Sequence, residues 1–232
     1  MKLPQKFTGF ENHLVTRAEV QDFVENFSQA FSSAAPAGGF VDKAAVLALV
    51  EQENAVGIRY YYGVGQDGET RLLWVGTDRD RNDLLEGETV KHALLNPPLS
   101  IDGTYTPFVV DHEIEMTDAA RLTATYRLQK ENHQPYGGFF GKQVILRIMH
   151  QDDCVGLRYY YGADSNGIRV VCLMGVDSKG NDIPDGQLAE LSTWCPPMCG
   201  VANPLNSGIT IEEFKRNTES IIENGNDLDI AA

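Results

Sequence analysis

Basic residues are scarce in this chain: 19 Lys and Arg stand against 33 Asp and Glu, for a net charge of −14. Nucleic-acid recognition needs a basic surface that displaces counterions from phosphates, so that partner class is excluded. Long apolar runs are missing too. No window approaches the ~18 residues of a membrane span, and Met1-Lys2-Leu3-Pro4-Gln5-Lys6 lacks the apolar stretch of a secretory signal. The expectation is a cytoplasmic protein, with no membrane partner. There are four cysteines, Cys154, Cys172, Cys195 and Cys199, all in the C-terminal half. Cys195-Pro196-Pro197-Met198-Cys199 is CxxxC rather than the CxxC of redox and zinc sites, so a reversible disulfide is the chemistry left to that pair. The histidines His13, His92, His112, His133 and His150 have no metal-ligand spacing, and none recurs between the repeats described next. A phosphate loop, a dinucleotide fingerprint and a flagged nucleophile–base pair are all missing, so no cofactor and no catalytic residue is expected.

What is present is a duplication. Residues 38–98 and 137–197 align without a gap at an offset of 99, with 21 of 61 positions identical. The run Val56-Gly57-Ile58-Arg59-Tyr60-Tyr61-Tyr62-Gly63 returns as Val155-Gly156-Leu157-Arg158-Tyr159-Tyr160-Tyr161-Gly162. Features retained in both copies serve the unit and not the whole chain. A unit of roughly 80 residues builds a marginal core by itself, and packing the copies together relieves that.

Each unit reads as helix, helix, β-hairpin. Thr16 and Glu19 form a capping box ahead of Val20, Phe23, Val24, Phe27 and Phe31 at helical spacing. The second copy's opening helix is placed near Thr117, with two residues fewer before its Gly-Gly pair. A second helix is expected from about Phe40 to Gln52. Alternation then sets Ile58, Tyr60 and Tyr62 on one strand face and Arg59 and Tyr61 on the other. Asp67-Gly68 and Asn166-Gly167 are hairpin turns. Val170-Val171-Cys172-Leu173-Met174 is continuously apolar, as in a strand covered on both faces. The expected organisation is a first repeat at 16–98, a linker at 99–116 with an extra strand at Phe108-Val109-Val110, a second repeat at 117–207, and a C-terminal helix and tail at 208–232 started by a Thr210–Glu213 capping box.

Four residues are candidates for ligand binding: Arg59, Tyr61, Arg158 and Tyr160. A mid-strand guanidinium needs an acidic or carbonyl partner. Either it holds a ligand carboxylate or phosphate beside the tyrosine, or it pairs with a loop aspartate, the commoner arrangement. After each hairpin comes Gly-x-Asp-x-x-x-Asn-Asp, which makes Asp177, Asn181 and Asp182 weak metal candidates; Asp, Asn and Gly are equally the ordinary turn formers. Lys43 and Lys142, at the start of the second helix of each unit, are expected to pair with a nearby acid. Cys195 and Cys199 are the redox candidates.

The second copy carries Phe-Phe-Gly-Lys, Cys-Val-Gly-Leu-Arg-Tyr-Tyr-Tyr-Gly, Met-Gly-Val-Asp-x-x-Gly-Asn-Asp, Cys-Pro-Pro-x-Cys and Asn-Pro-Leu-Asn-Ser. These motifs resemble a family of small uncharacterised bacterial proteins, chiefly single-copy, across residues 117–207. The resemblance implies that the CPPxC segment belongs to the unit and is lost from the first copy, where Ala55, Thr77 and Asn96 depart from the pattern. It implies no activity. The fold class expected is α+β: two tandem helix–helix–hairpin repeats about a pseudo-twofold, with helices packed on one side of an antiparallel sheet. The expected function is a non-enzymatic binding or interaction protein with a protein or small-molecule partner. Two alternatives stay open: a small-molecule binder or enzyme with its site between the repeats, and an acidic inhibitor or immunity-type protein.

Overall fold

Two Gly-Gly-Phe segments decide how the chain is threaded. The computed structural model describes residues 6–31, 38–85, 90–92, 94–95, 112–131 and 133–217. In chain order the elements are β1 (Leu14–Val15), α1 (Arg17–Ala30), β2 (Gly38–Asp42), α2 (Lys43–Val50), β3 (Gly57–Val64), β4 (Thr70–Thr77), β5 (Val90–His92) and β6 (Leu94–Leu95). They continue with α3 (Met116–Gln129), β7 (Gly137–Gly141), α4 (Lys142–Met149), β8 (Cys154–Ala163), β9 (Arg169–Asp177), β10 (Leu188–Ala189) and β11 (Thr193–Cys195). Residues 211–217 are helical, with Glu213 and Thr210 bonded as a capping box. The expected strand at 108–110, the Pro97-Pro98 pair and the apolar Ile221-Ile222 lie outside the described residues.

The fold is α+β with two antiparallel sheets, ordered β1-β10-β9-β8-β2-β6 and β11-β7-β3-β4-β5. The hairpins β3–β4 and β8–β9 form as the turn chemistry requires, in different sheets. The Gly-Gly-Phe segments form strands, and each crosses to the other hairpin. Gly38–Asp42 pairs with Gly156–Tyr160 of β8, while Gly137–Gly141 pairs with Gly57–Tyr61 of β3. The glycines make the crossing possible: a Cβ on Gly38 would run into the Tyr159 carbonyl, and one on Gly137 into that of Tyr60.

This corrects the expected unit in three respects. A strand stands between its two helices. The helix expected from Phe40 begins instead at Lys43, because Asp42 caps it by accepting from Ala45 N at 2.8 Å. Helices also cover both faces. Ile58, Tyr60, Tyr62, Leu157, Tyr159 and Tyr161 share one core with Val46, Leu49 and Val50 of α2 and Val144, Ile145, Ile148 and Met149 of α4. The opposite face of β8–β9 packs Tyr160, Cys172 and Met174 against Val20, Phe23 and Val24 of α1. The opposite face of β3–β4 packs Tyr61, Leu73 and Val75 against Ala119 and Leu122 of α3. Thus α1, like β2, covers the distant hairpin, and α3 does the reverse. Val170–Met174 is buried throughout, as its continuous apolarity requires.

The indel expected between the opening helices and the Gly-Gly pairs is absent. Helix α3 starts at Met116, 99 positions after the start of α1, and ends at the same offset. Thr117 is not the cap: Thr16, the cap of α1, aligns with Glu115, which makes no side-chain cap bond. Among the described residues, no helix is long and apolar enough to cross a membrane.

Candidate functional site

Strand alternation places Arg59 and Tyr61 on one face of β3, and the loop after β4 turns back to meet them. Asp78 shapes that loop, accepting from Asn82 N at 2.8 Å and Asn82 Nδ2 at 3.2 Å. The bridge between Thr77 and Asp83 then brings Asp83 alongside. Arg59 Nη1 donates to Asp83 Oδ1 at 2.5 Å, and Tyr61 OH donates to Oδ2 at 2.6 Å. The second hairpin repeats this arrangement. Asp177 accepts from Asn181 N and Nδ2 at 2.8 and 3.1 Å, Arg158 Nη1 donates to Asp182 Oδ1 at 2.7 Å, and Tyr160 OH donates to Oδ2 at 2.6 Å. The Gly-x-Asp-x-x-x-Asn-Asp motif therefore does two jobs: its first Asp and Asn close a turn, and its last Asp completes an Arg–Asp–Tyr triad. Among the described residues, no three His, Cys, Asp or Glu side chains come together as metal ligands.

The triads differ in what covers them. Side chains of Arg59 and Asp83 are fully enclosed, whereas those of Arg158 and Asp182 are 9% and 28% exposed. Over the first triad lies the segment that follows β11. Met198 O accepts from Arg59 Nη2 at 3.2 Å, and Asn203 Nδ2 donates to Asp83 Oδ2 at 2.8 Å. Cys195 and Cys199 form a disulfide that closes the Pro-Pro-Met loop. Asn203 and Asn206 brace the rest: Asn203 N donates to Asn206 Oδ1 at 2.9 Å, and Asn206 Nδ2 to Val201 O at 3.0 Å. Arg127 of α3 donates to the carbonyls of Leu205 and Ser207. Phe7, stacked on Phe139, lies beside the Arg59 guanidinium. Burial alone would lower the Arg59 pKa, but Asp83 and Tyr61 outweigh it and hold the pKa above its usual value. Burial and the Asp182 carboxylate push the Tyr160 phenol up to about 12.

The segment 198–206 was not singled out by its sequence as a partner of Arg59, since its polar members, Asn203 and Asn206, read as loop residues. Lys43, expected near an acid, donates to the Cys154 carbonyl at 3.2 Å.

The histidines also need correction, because two of them do recur. His13 and His112 are 99 positions apart, just outside the aligned blocks. Each Nδ1–H donates to a main-chain carbonyl at 2.8 Å, that of Leu191 between β10 and β11 for His13 and that of His92 in β5 for His112. Their outer nitrogens differ. His112 Nε2 lies 3.1 Å from Asp42 Oδ2, whereas Gly141 replaces Asp42 in the second copy and His13 Nε2 has no partner among the described residues. Burial lowers the His13 pKa, against the Leu191 carbonyl and Glu11, which raise it. Just after β10, Glu190 is buried with Oε1 unpartnered among the described residues, and burial pushes its carboxyl up to about 7 against the N–H groups of Leu191 and Ser192.

A cleft of about 440 Å³ opens between the first hairpin turn and α3, lined by Gln66, Asp67, Arg71, His92, Arg121 and Leu122 among others. Its arginines are engaged: Arg71 with Asp67 at 2.5 Å and Arg121 with Asp118 at 3.0 Å.

No family model, no curated protein and no solved structure matches this chain.

Proposed function

We propose that this chain is a non-enzymatic interaction protein built of two tandem, intertwined repeats about a pseudo-twofold axis. The first Arg–Asp–Tyr triad is filled from within, and the second is the binding site. The recurrence of α1–β2–α2–hairpin as α3–β7–α4–hairpin at one offset, with reciprocal strand crossing, supports the repeat and the axis. One observation carries the functional reading: the triad in the first half is used to hold a peptide segment, residues 198–206, through a carbonyl on the arginine and a carboxamide on the aspartate. Asp182 already neutralises Arg158, so the second triad offers an N–H donor beside a carboxylate acceptor. That pairing suits an amide better than the anionic ligand expected from a lone strand arginine.

Urea unfolding of Arg59→Met and Arg158→Met, without ligand, tests the reading. Arg59→Met strands Asp83 in a dry site and should cost ~3–5 kcal/mol. Arg158→Met leaves Asp182 partly in water and bonded to Tyr160, so it should cost clearly less, about 1–2 kcal/mol for the lost bonds to Asp182 and the Gly180 carbonyl. Equal, large losses in both variants would make the second triad a structural strut and end the binding reading.

A further inference from the structure

We infer that the Arg158–Asp182–Tyr160 triad takes a peptide segment that presents a main-chain carbonyl to Arg158 and an asparagine carboxamide to Asp182. This rests on the reading of that triad as the binding site, and it names the ligand chemistry. The argument is an internal comparison. Besides a long 3.5 Å contact with Tyr61 OH, Arg59 spends its guanidinium on three acceptors: Asp83 at 2.5 Å, the Arg81 carbonyl at 3.0 Å and the Met198 carbonyl at 3.2 Å. Arg158 matches the first two with Asp182 at 2.7 Å and the Gly180 carbonyl at 3.2 Å. Among the described residues it has no counterpart of the third. Asp83 Oδ2 accepts both Tyr61 OH at 2.6 Å and Asn203 Nδ2 at 2.8 Å. Asp182 Oδ2 accepts Tyr160 OH at 2.6 Å, and its 28% exposure leaves its remaining lone pairs reachable.

The chain does not encode the same insert for its second triad. Where the filling segment has Cys195, Cys199, Asn203 and Asn206, the positions 99 residues earlier hold Asn96, Ser100, Thr104 and Pro107. The closing disulfide and both bracing asparagines are thus unique to the segment that serves the first triad. A partner that supplies its own carbonyl and carboxamide meets the donor–acceptor pattern left at Arg158 and Asp182. The pattern is also selective. Aspartate in place of the asparagine would set two carboxylates against each other beside a single arginine, which disfavours binding by charge and by loss of the N–H donor.

The probe is a synthetic peptide of this chain's own residues 195–206, closed by its Cys195–Cys199 disulfide. It is titrated into the full chain, with backbone amide NMR shifts followed residue by residue. Saturable shifts centred on Arg158, Gly180 and Asp182 are expected, with affinity at least tenfold lower for the peptide bearing Asn203→Asp. The substitution is in the peptide, so folding of the protein is not at stake. Absence of saturable shifts at those residues, shifts centred instead on Arg81 and Asp83, or equal affinity of the two peptides would overturn the inference. The two readings fail separately. If Arg158→Met costs clearly less than Arg59→Met but the peptide does not bind, the triad remains a site for a different chemistry. If Arg158→Met is as costly as Arg59→Met, both readings fall.

Discussion

The crossing of the opening helices can be tested by a double-mutant cycle between Leu73 and Leu122. Leu73 is fully buried on β4 of the first copy, and Leu122 is 7% exposed on α3 of the second. Both belong to the cluster that holds Tyr61 and Val75. They converge on one point: a Cβ built on Gly63 would lie 2.9 Å from Leu122 Cβ and 3.5 Å from Leu73 Cδ1. A Leu→Ala change in a packed site costs ~2–5 kcal/mol, the spread reflecting how far the site collapses. Leu73, with no access to water, belongs near the upper end, and Leu122, at the edge of the helix, near the lower. Because the two side chains share neighbours, the second truncation enters a site already loosened by the first. The double variant should then be less destabilised than the sum by about 1 kcal/mol, within the ~0.5–3 kcal/mol seen for residues in contact. Urea unfolding of the four proteins, with a common slope on denaturant, measures this. The control is Leu122→Ala with Cys172→Ala, since Cys172 is the position of Leu73 in the second copy and packs under α1. If each opening helix covered the hairpin of its own repeat, the couplings would reverse: none at Leu73 and about 1 kcal/mol at Cys172. That result would refute the crossed topology.

Three further outcomes follow from individual groups. Glu190 has a folded pKa raised to about 7 from 4.5, so the native state holds its proton more tightly, and stability present below pH 4.5 is lost as pH rises through 7. The loss is on the order of 3 kcal/mol at pH 8, and Glu190→Gln should remove that slope; a parental pH profile in the variant would show that Glu190 is not its source. Thiol titration in denaturant without reductant should find only Cys154 and Cys172 free, and prior reduction should expose all four cysteines. Four reactive thiols without reduction would contradict the Cys195–Cys199 bond. Gly38→Ala and Gly137→Ala each drive a methyl into a backbone carbonyl of the other copy's hairpin, a contact that rotamer changes cannot relieve. Each should cost at least the ~1–3 kcal/mol of core overpacking, and an unchanged thermal midpoint in either variant would rule out the strand crossing there.

Much of this fold is legible in the sequence, and the parts that are not share a physical cause. The hairpins announce themselves locally, through Asp67-Gly68, Asn166-Gly167 and the alternation of Tyr60, Tyr61 and Tyr62. Gly38-Gly39-Phe40 reads locally as a helix lead-in, because Asp42, a good N-cap, falls inside the helical run that it actually starts. Its strand state is set by a non-local partner, β8, that no window around residue 38 contains. The crossing of α1 and α3 is equally invisible to periodicity, which shows that a helix has an apolar face but not which hairpin meets it. Of the site, Arg59, Tyr61, Arg158 and Tyr160 stood out as charges and phenols in a buried run. The last Asp of each loop motif was visible as a repeated residue, though not its bond to the tyrosine. Asn203 and Met198 reach the Arg59 triad across the fold, and Met198 contributes only its main chain, which carries no sequence signal.

The crossing also accounts for the unequal coverage of the triads. Because β7 pairs with β3 and β11 pairs with β7, the chain that leaves β11 at Cys195 emerges beside the first hairpin, not the second. The end of the second copy is thereby delivered to the triad of the first, within reach of Arg59 and Asp83. A disulfide and two asparagines fix it there. Cys195, Cys199, Asn203 and Asn206 have no counterparts of the same type 99 positions earlier, and the side chains of Arg158 and Asp182 are 9% and 28% exposed. The same three side-chain types, Arg, Asp and Tyr, therefore form a fully enclosed triad beneath that segment and a partly exposed one on the second hairpin.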